Sequence, residues 1–384
     1  MIYIVCGVLL VIIILTIGLD FFAGTKKYIQ QRFFQGRILN ANIWAQKVKS
    51  ICKKWLLKTP KVSPSDEKVY KIVEILKRKK TVRSIQVWQQ SALYLGLDEV
   101  YKKTQDSSLK QVLDKFKQDV KIKEINDADY GILAYALMDE NGQGVLNAEM
   151  LKYVETNKTQ EGLIYYKKYA TGSAFVDTLG FVCPFLIKYG LKNQNQGSID
   201  LALHQLELYF QYGIETHSNL PFHAFSIENK THLGICDWAR GLAWLLIALM
   251  DSYRCFLEEQ KENEFLKEKI KEYADILLKY QKTSGAFSWQ LFSGNKPSDS
   301  SATAVFGWYL ACCRKIFKED KYTKSAVRAR EYLMSVTYNN GVIDYAQGDT
   351  ISIGMYSRRF EKMPFAQGFA LRLQTEISNE GVEE

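Results

Sequence analysis

Six apolar segments rich in Gly, Ala and Ser recur along the chain, each opening on a polar or aromatic residue, and this repetition restricts the fold most. They are VWQQSALYLGL from Val87, DYGILAYALM from Asp129, VDTLGFVCPFLIKYGL from Val176, WARGLAWLLIALMDSY from Trp238, SSATAVFGWYLACC from Ser300 and PFAQGFALRL from Pro364. Between them lie more polar stretches with apolar residues every three or four positions, at Glu67–Lys80, Ser107–Asp119, Leu146–Val154, Ser198–Gly213, Glu262–Gln281 and Tyr322–Val336. Only six prolines occur in 384 residues and period-two β-branched runs are few, so the chain reads as all-α. A spacing of about 40 to 65 residues is a supersecondary period. Small residues let helix backbones approach closely, so six such helices form an inner ring and the amphipathic ones wrap it. That architecture is an (α/α)6 barrel.

The starts of the inner helices then share one mouth: Trp88 and Gln89, Asp129, Asp177, Trp238 and Arg240, Ser300 and Ser301, and Gln367. Carboxylates and aromatics converging on a concave pocket suit a sugar or another polar cyclic ligand. Asp and Ser are also favoured N-caps, and capping is the competing explanation for each of them taken singly.

Ile2–Leu19 is a charge-free apolar run. At about 1.5 Å per residue its 18 residues reach across a hydrocarbon core of roughly 30 Å. No basic residue precedes the run and no small-residue cleavage site follows it, so it reads as an N-terminal transmembrane helix and not as a cleaved signal. From Phe21 to Arg83 there are 17 Lys or Arg against 3 Asp or Glu, a net +14; with Asp20 at −1, the total of +9 leaves −4 for the rest. The basic flank places the following domain on the cytoplasmic face of a cell inner membrane, single-pass, with anionic lipid at the flank; an extracytoplasmic domain is the alternative. Nucleic acid is not an expected partner, because the basicity adjoins an anchor and the remainder is slightly acidic. The expected layout is an anchor over residues 1–24, a basic linker over 25–64 and the barrel over 65–384.

VDTLGFVCPFLIKYG, PFHAF, WARGLAW, GAFSWQ and DSSATA occur in that order. This ordered set resembles the unsaturated glucuronyl and rhamnogalacturonyl hydrolases of glycoside hydrolase families 88 and 105, over about Ile85 to Leu373. The nearest likeness is to a membrane-anchored subgroup linked to bacterial surface-polysaccharide loci, in which DYGILAYA, QGDT and PFAQG also recur. The resemblance implies an (α/α)6 barrel and hydration of a 4,5-unsaturated uronic acid: an Asp protonates C4 of the enol ether, water adds at C5, and the hemiketal opens and releases the next sugar. It assigns Asp177 as general acid/base and Asp129 as the second carboxylate, with Asp127 as the fallback for a register shift. By the same resemblance His223 contacts substrate. Trp238 stacks on the sugar and Arg240 pairs with its carboxylate or bridges inner helices to Asp237 or another acid. Trp88 and Gln89 line the pocket, while Trp244, Ser300, Ser301 and Thr303 are packing residues. A carboxyl buried beside Phe181 would stay protonated at Asp177, and a better solvated Asp129 would stay ionised to position water.

Two positions depart from the family pattern: Leu242 stands where a Gln or Asn is usual, and Ala224 where a Gly often follows the histidine. They leave open a different sugar or a non-catalytic glycan-binding or scaffold protein in surface-polysaccharide metabolism; an epimerase or lyase ranks behind both. The expected partner is an oligosaccharide. The seven cysteines are an odd number without a CxxC pair, which reads as free thiols and no zinc. No nucleotide loop is present, and neither a cofactor nor a metal is expected.

Overall fold

The computed structural model describes residues 1–62, 85–121, 124–350 and 352–378. The proposed outer helix at Glu67–Lys80 lies outside them. Among the described residues are thirteen helices and five short strands. The inner helices are α3 (Val87–Thr104), α5 (Tyr130–Leu137), α7 (Val176–Lys192), α9 (Ala239–Glu258), α11 (Ser300–Phe317) and α13 (Pro364–Ser378). Each packs on the next, and α13 packs back on α3, so the ring is closed. The expected (α/α)6 barrel is the observed one.

Small residues stand where inner helices cross. A Cβ at Gly180 of α7 would lie 2.7 Å from the Trp244 carbonyl oxygen of α9, and one at Gly96 of α3 would lie 2.5 Å from that of Gly368 in α13. Such distances shut out any side chain, which is why the apolar segments carry Gly at those positions.

The outer layer is α2 (Ala41–Leu57), α4 (Ser107–Asp119), α6 (Asn147–Thr156), α8 (Gln196–Tyr212), α10 (Glu264–Tyr280) and α12 (Asp320–Ser335). Here the structure departs from the expected layout. Residues 41–57, read as part of a basic linker, form a barrel helix packed on α3, α4 and α13. Its four lysines lie outside a stripe of Trp44, Val48, Cys52, Trp55 and Leu56, all buried. Asn40 caps it, accepting from the backbone amides of Asn42 and Ile43 at 3.0 Å.

Helix α1 (Ile2–Phe34) runs on past the apolar segment as one helix of 33 residues. It is long and apolar enough to cross a membrane, with none of its most apolar window buried against the barrel. Its last turns do not hang free. Gln31 donates to Asp344 Oδ2 at 3.2 Å, Lys27 to the Phe360 carbonyl at 3.3 Å, and the Asn339 amide to the Phe34 carbonyl at 2.8 Å.

Two short antiparallel sheets sit over the ring. One is β1 (Ser173–Phe175), β2 (Ala224–Ser226) and β3 (His232–Leu233), in that order; the other pairs β4 (Ala346–Gln347) with β5 (Phe360–Glu361). They order the loops at the N-terminal ends of the inner helices.

Candidate active site

The β1–β2 pairing builds the centre of the mouth. Phe175 stands opposite Ala224, and the Val176 amide donates to the His223 carbonyl at 3.0 Å. This register turns the next residue, Asp177, toward the histidine: His223 Nε2 is 3.5 Å from Asp177 Oδ2. His223 Nδ1 lies 3.1 Å from the Tyr356 hydroxyl, whose oxygen accepts the Ile235 amide at 3.1 Å. The Tyr356 proton is therefore available to Nδ1, which leaves hydrogen on Nε2, facing the carboxyl.

Neither carboxyl of interest caps a helix. Asp129 occupies the N-cap position of α5, and Asp177 the first turn of α7, yet no side-chain cap bond forms at either end. Asp177 Oδ2, Asp129 Oδ1 and Asp127 Oδ1 are instead buried without a hydrogen-bond partner. Asp299 does cap a helix, although its Oδ2 is likewise buried without a partner. It caps α11, accepting from the Ser301 amide and hydroxyl at 2.9 and 2.7 Å, and Thr303 Oγ1 donates to its carbonyl, so Ser301 and Thr303 serve the helix start.

Burial pushes the Asp177 carboxyl up to about 7, with Asp349 adding to the rise and Arg240 opposing it. Burial also lowers His223 to about 4, helped by the nearby Arg240 charge, so the imidazole is neutral at physiological pH. Asp129 is raised well above the ordinary carboxylate range by burial and by a hydrogen bond and charge from Asp127. The expected division of labour therefore changes: Asp129, only 6% exposed, is not the better solvated acid. Backbone bonds from Ala128 N to Tyr166 O (2.8 Å) and Lys168 N to Asn126 O (2.9 Å) hold the 126–129 turn against the following loop.

Arg240 and Trp238 frame the other wall. The guanidinium of Arg240 donates to the carbonyls of Gln347 and Gly348 at 2.6 and 2.7 Å, and lies 5.4 Å from the Trp238 ring. It binds β4 and the following loop, not Asp237, whose Oδ2 accepts the Phe292 amide at 3.3 Å. Trp238 is tilted against His223 with centroids 4.6 Å apart, and its indole N–H donates to Gln347 Oε1 at 3.0 Å. Trp88 packs edge-on to Trp244 and Phe365, and its indole N–H donates to Gln86 Oε1 at 2.8 Å. Gln89 is buried with an unpartnered Oε1 and lines a small cavity with Asp349. Gln367 is structural, joining Ile343 N at 3.1 Å and Gly341 O at 2.6 Å.

Asp349, Tyr356 and Tyr166 were not among the expected site residues. Asp349 lies close enough to raise Asp177, and burial raises its own carboxyl. The Tyr166 ring stacks on Phe181, and burial above all raises its phenol, with the neighbouring Asp129, Asp177, Asp349 and Asp127 adding to the rise. The QGDT string at 347–350 contained the signal for Asp349; the two tyrosines stand in loops without periodicity.

The mouth thus gathers a proton-bearing acid, a neutral histidine, the Asp129–Asp127 carboxyl pair and aromatic walls, an arrangement suited to proton transfer onto a sugar. The model of Glycosyl Hydrolase Family 88 matches residues 49–379, beginning within α2. Among solved structures, a possible member of family 105 from Salmonella enterica subsp. enterica serovar Paratyphi A superposes with a TM-score of 0.68 at 19% identity, covering 89% of this chain and 96% of that one. The unsaturated glucuronyl hydrolase of Bacillus sp. GL1, responsible for degradation of glycosaminoglycan, gives 0.64 at 14%, covering 87% and 95%. A polysaccharide lyase gives 0.64 at 16%, covering 90% and 99%. Identities this low speak for the fold alone. A search among curated proteins returned no match. With every inner helix and both acids of the mouth inside the matched residues 49–379, the chain belongs to glycosyl hydrolase family 88.

Proposed function

We propose that the protein hydrates the C4=C5 bond of a terminal unsaturated uronic acid, with Asp177 as general acid. The observation that carries this reading is the Asp177 carboxyl: buried, with Oδ2 unpartnered, and raised to about 7 beside a neutral histidine. Such a group is still substantially protonated at neutral pH and can give its proton to C4. Water then adds at C5, with its proton returning to the site. The C5 hemiketal opens to a ketone, and the C1 hemiacetal expels the next sugar. Asp129, hydrogen-bonded to Asp127, lies across the mouth to orient that water. Trp238 faces the sugar, and Arg240, through the loop it holds and its positive charge, favours the substrate carboxylate.

We place the barrel on the cytoplasmic side of an inner membrane, held by α1, because Lys26, Lys27, Arg32 and Arg37 directly follow the apolar run. Reading the barrel as a glycan binder without turnover drew on Leu242, which is fully buried in the apolar core. One oxygen of each acid at the mouth, Asp177 Oδ2 and Asp129 Oδ1, is buried without a hydrogen-bond partner, which favours proton transfer over binding alone.

The test is full-length protein in detergent with a panel of lyase-generated unsaturated disaccharides, following loss of the enol-ether ultraviolet absorbance. Loss that is abolished in Asp177→Asn is the expected result. Absorbance that persists with every disaccharide, while the same sugars bind, would transfer the assignment to the glycan-binding reading.

A further inference from the structure

A cavity of about 950 Å³ lies between α1 and the barrel. Its α1 wall carries Leu19, Phe22 and Ala23 next to Lys26, and its barrel wall carries Glu361 and Lys362. The apolar residues belong to the turn where the charge-free run ends, so with α1 across a bilayer they stand at the edge of the hydrocarbon. The lysines follow one turn on, at headgroup depth. Asp344 also lines the cavity, but Gln31 and Tyr338 occupy its Oδ2. An apolar wall topped by Lys26, Lys27 and Lys362 is complementary to an amphiphile that joins a hydrocarbon chain to a phosphate.

The cavity is also tied to the mouth. Glu361 and Lys362 line a second, smaller cavity with Gln89, Gly348 and Asp349. The segment between β4 and β5 thus has one end on α1 and the other beside Asp177 and Arg240. The docked turns of α1 hold the mouth at a set height over the bilayer.

We propose that this cavity receives the phosphate-bearing lipid end of a membrane-tethered glycan, while the terminal sugar of that glycan enters the mouth. The proposal rests on the uronyl hydrolase reading above and names the form in which the substrate arrives.

The test uses the full chain in discs of phosphatidylcholine. One substrate is a lyase-generated unsaturated disaccharide, and the other is the same disaccharide joined through a phosphodiester to a hexadecyl chain. The expected KM for the tailed sugar is lower by about tenfold or more, as for any ligand held at a second point. Ala23→Trp, which fills the cavity from its α1 wall, and Lys26→Glu remove that advantage and leave turnover of the free disaccharide unchanged. Equal KM values, or an advantage that both variants retain, overturn the proposal, because the tail would then only partition into the bilayer. If neither sugar is turned over, the hydrolase reading falls and calorimetry with hexadecyl phosphate in nonionic detergent decides the cavity. Saturable binding that both variants lose supports it, and binding that they retain overturns it. Binding abolished by phosphatidylglycerol discs assigns the cavity to bulk phospholipid and overturns the glycan proposal.

Discussion

The two ends of the barrel bury acids in opposite ways. At the base, where the C-terminal ends of the inner helices meet, Arg372 of α13 grips Asp251 of α9 with bonds of 3.0 and 2.6 Å and reaches Glu99 of α3 at 2.9 Å. Arg254 bonds Glu99 at 2.7 Å and lies 3.3 Å from Glu376, which Lys315 of α11 also engages. Cations at helix C-termini also suit the helix dipoles. Burial raises Glu99, but the two arginines together bring it down to about 2. At the mouth Asp177 is largely but not wholly enclosed, with 15% of its side chain exposed; Arg240 is spent on two carbonyls, and the carboxyl rises to about 7. Burial alone therefore does not separate structural acids from chemical ones. The supply of cations does: each of these base acids is paired with an arginine or lysine, although Glu99 Oε2 is itself without a hydrogen bond, and Asp177 at the mouth has no such pair.

Substitutions that break this contrast have effects of different kinds. Asp177→Asn or Asp129→Asn removes a proton donor or its partner and lowers kcat by about 10²- to 10⁴-fold, read from enol-ether loss, while the fold persists. In the wild type, kcat/KM falls as pH rises through about 7, where Asp177 loses its proton. A flat profile from pH 5 to pH 9 would remove Asp177 from the proton-transfer step.

At the base the order reverses. Arg372→Ala leaves Asp251, with no exposed surface, without its main partner and strips the cation that lies 3.9 Å over Trp308. The expected loss is about 3–5 kcal/mol, measured by denaturant unfolding. Any remaining folded protein keeps its KM, since no base residue approaches the mouth. A cost below about 1 kcal/mol would mean that water replaces the guanidinium and that the base is less closed than the structure has it.

The same contrast explains what the sequence revealed. The inner helices were legible because Gly96, Gly180 and Gly368 stand where backbones must touch, and that need leaves a compositional trace. Asp177 and His223 were legible as motif members. Helix α2 was missed because Lys47, Lys49, Lys53 and Lys54 outweigh its stripe of Trp44, Val48, Cys52 and Trp55 in any charge count. Tyr356 and Tyr166 were missed because loop residues reach the mouth through tertiary placement, which has no period. The raised Asp129 has a related origin: Asp127, two residues away in the chain, meets it only because the 126–129 turn brings the two carboxyls together.

The smallest of these effects is the one that separates burial from partnership most sharply. A carboxyl raised from 3.8 to about 7 binds its proton more tightly folded than unfolded. Below about pH 4 the proton is on in both states and Asp177 costs nothing. Between pH 4 and pH 7 the unfolded chain ionises while the folded one resists, so stability falls as pH rises, and it levels off above the folded value. The shift sets an upper bound of about 4 kcal/mol. With the side chain 15% exposed at an open mouth, about 1–2 kcal/mol is the realistic share. Asn does not titrate. Asp177→Asn should therefore melt with the wild type at pH 4 and at a higher temperature at pH 8, the reverse of what the lowered Glu99 at the base would give. Parallel melting curves across that range would show that the folded mouth solvates Asp177 as well as water does, and the distinction between the two ends would then lie in geometry alone.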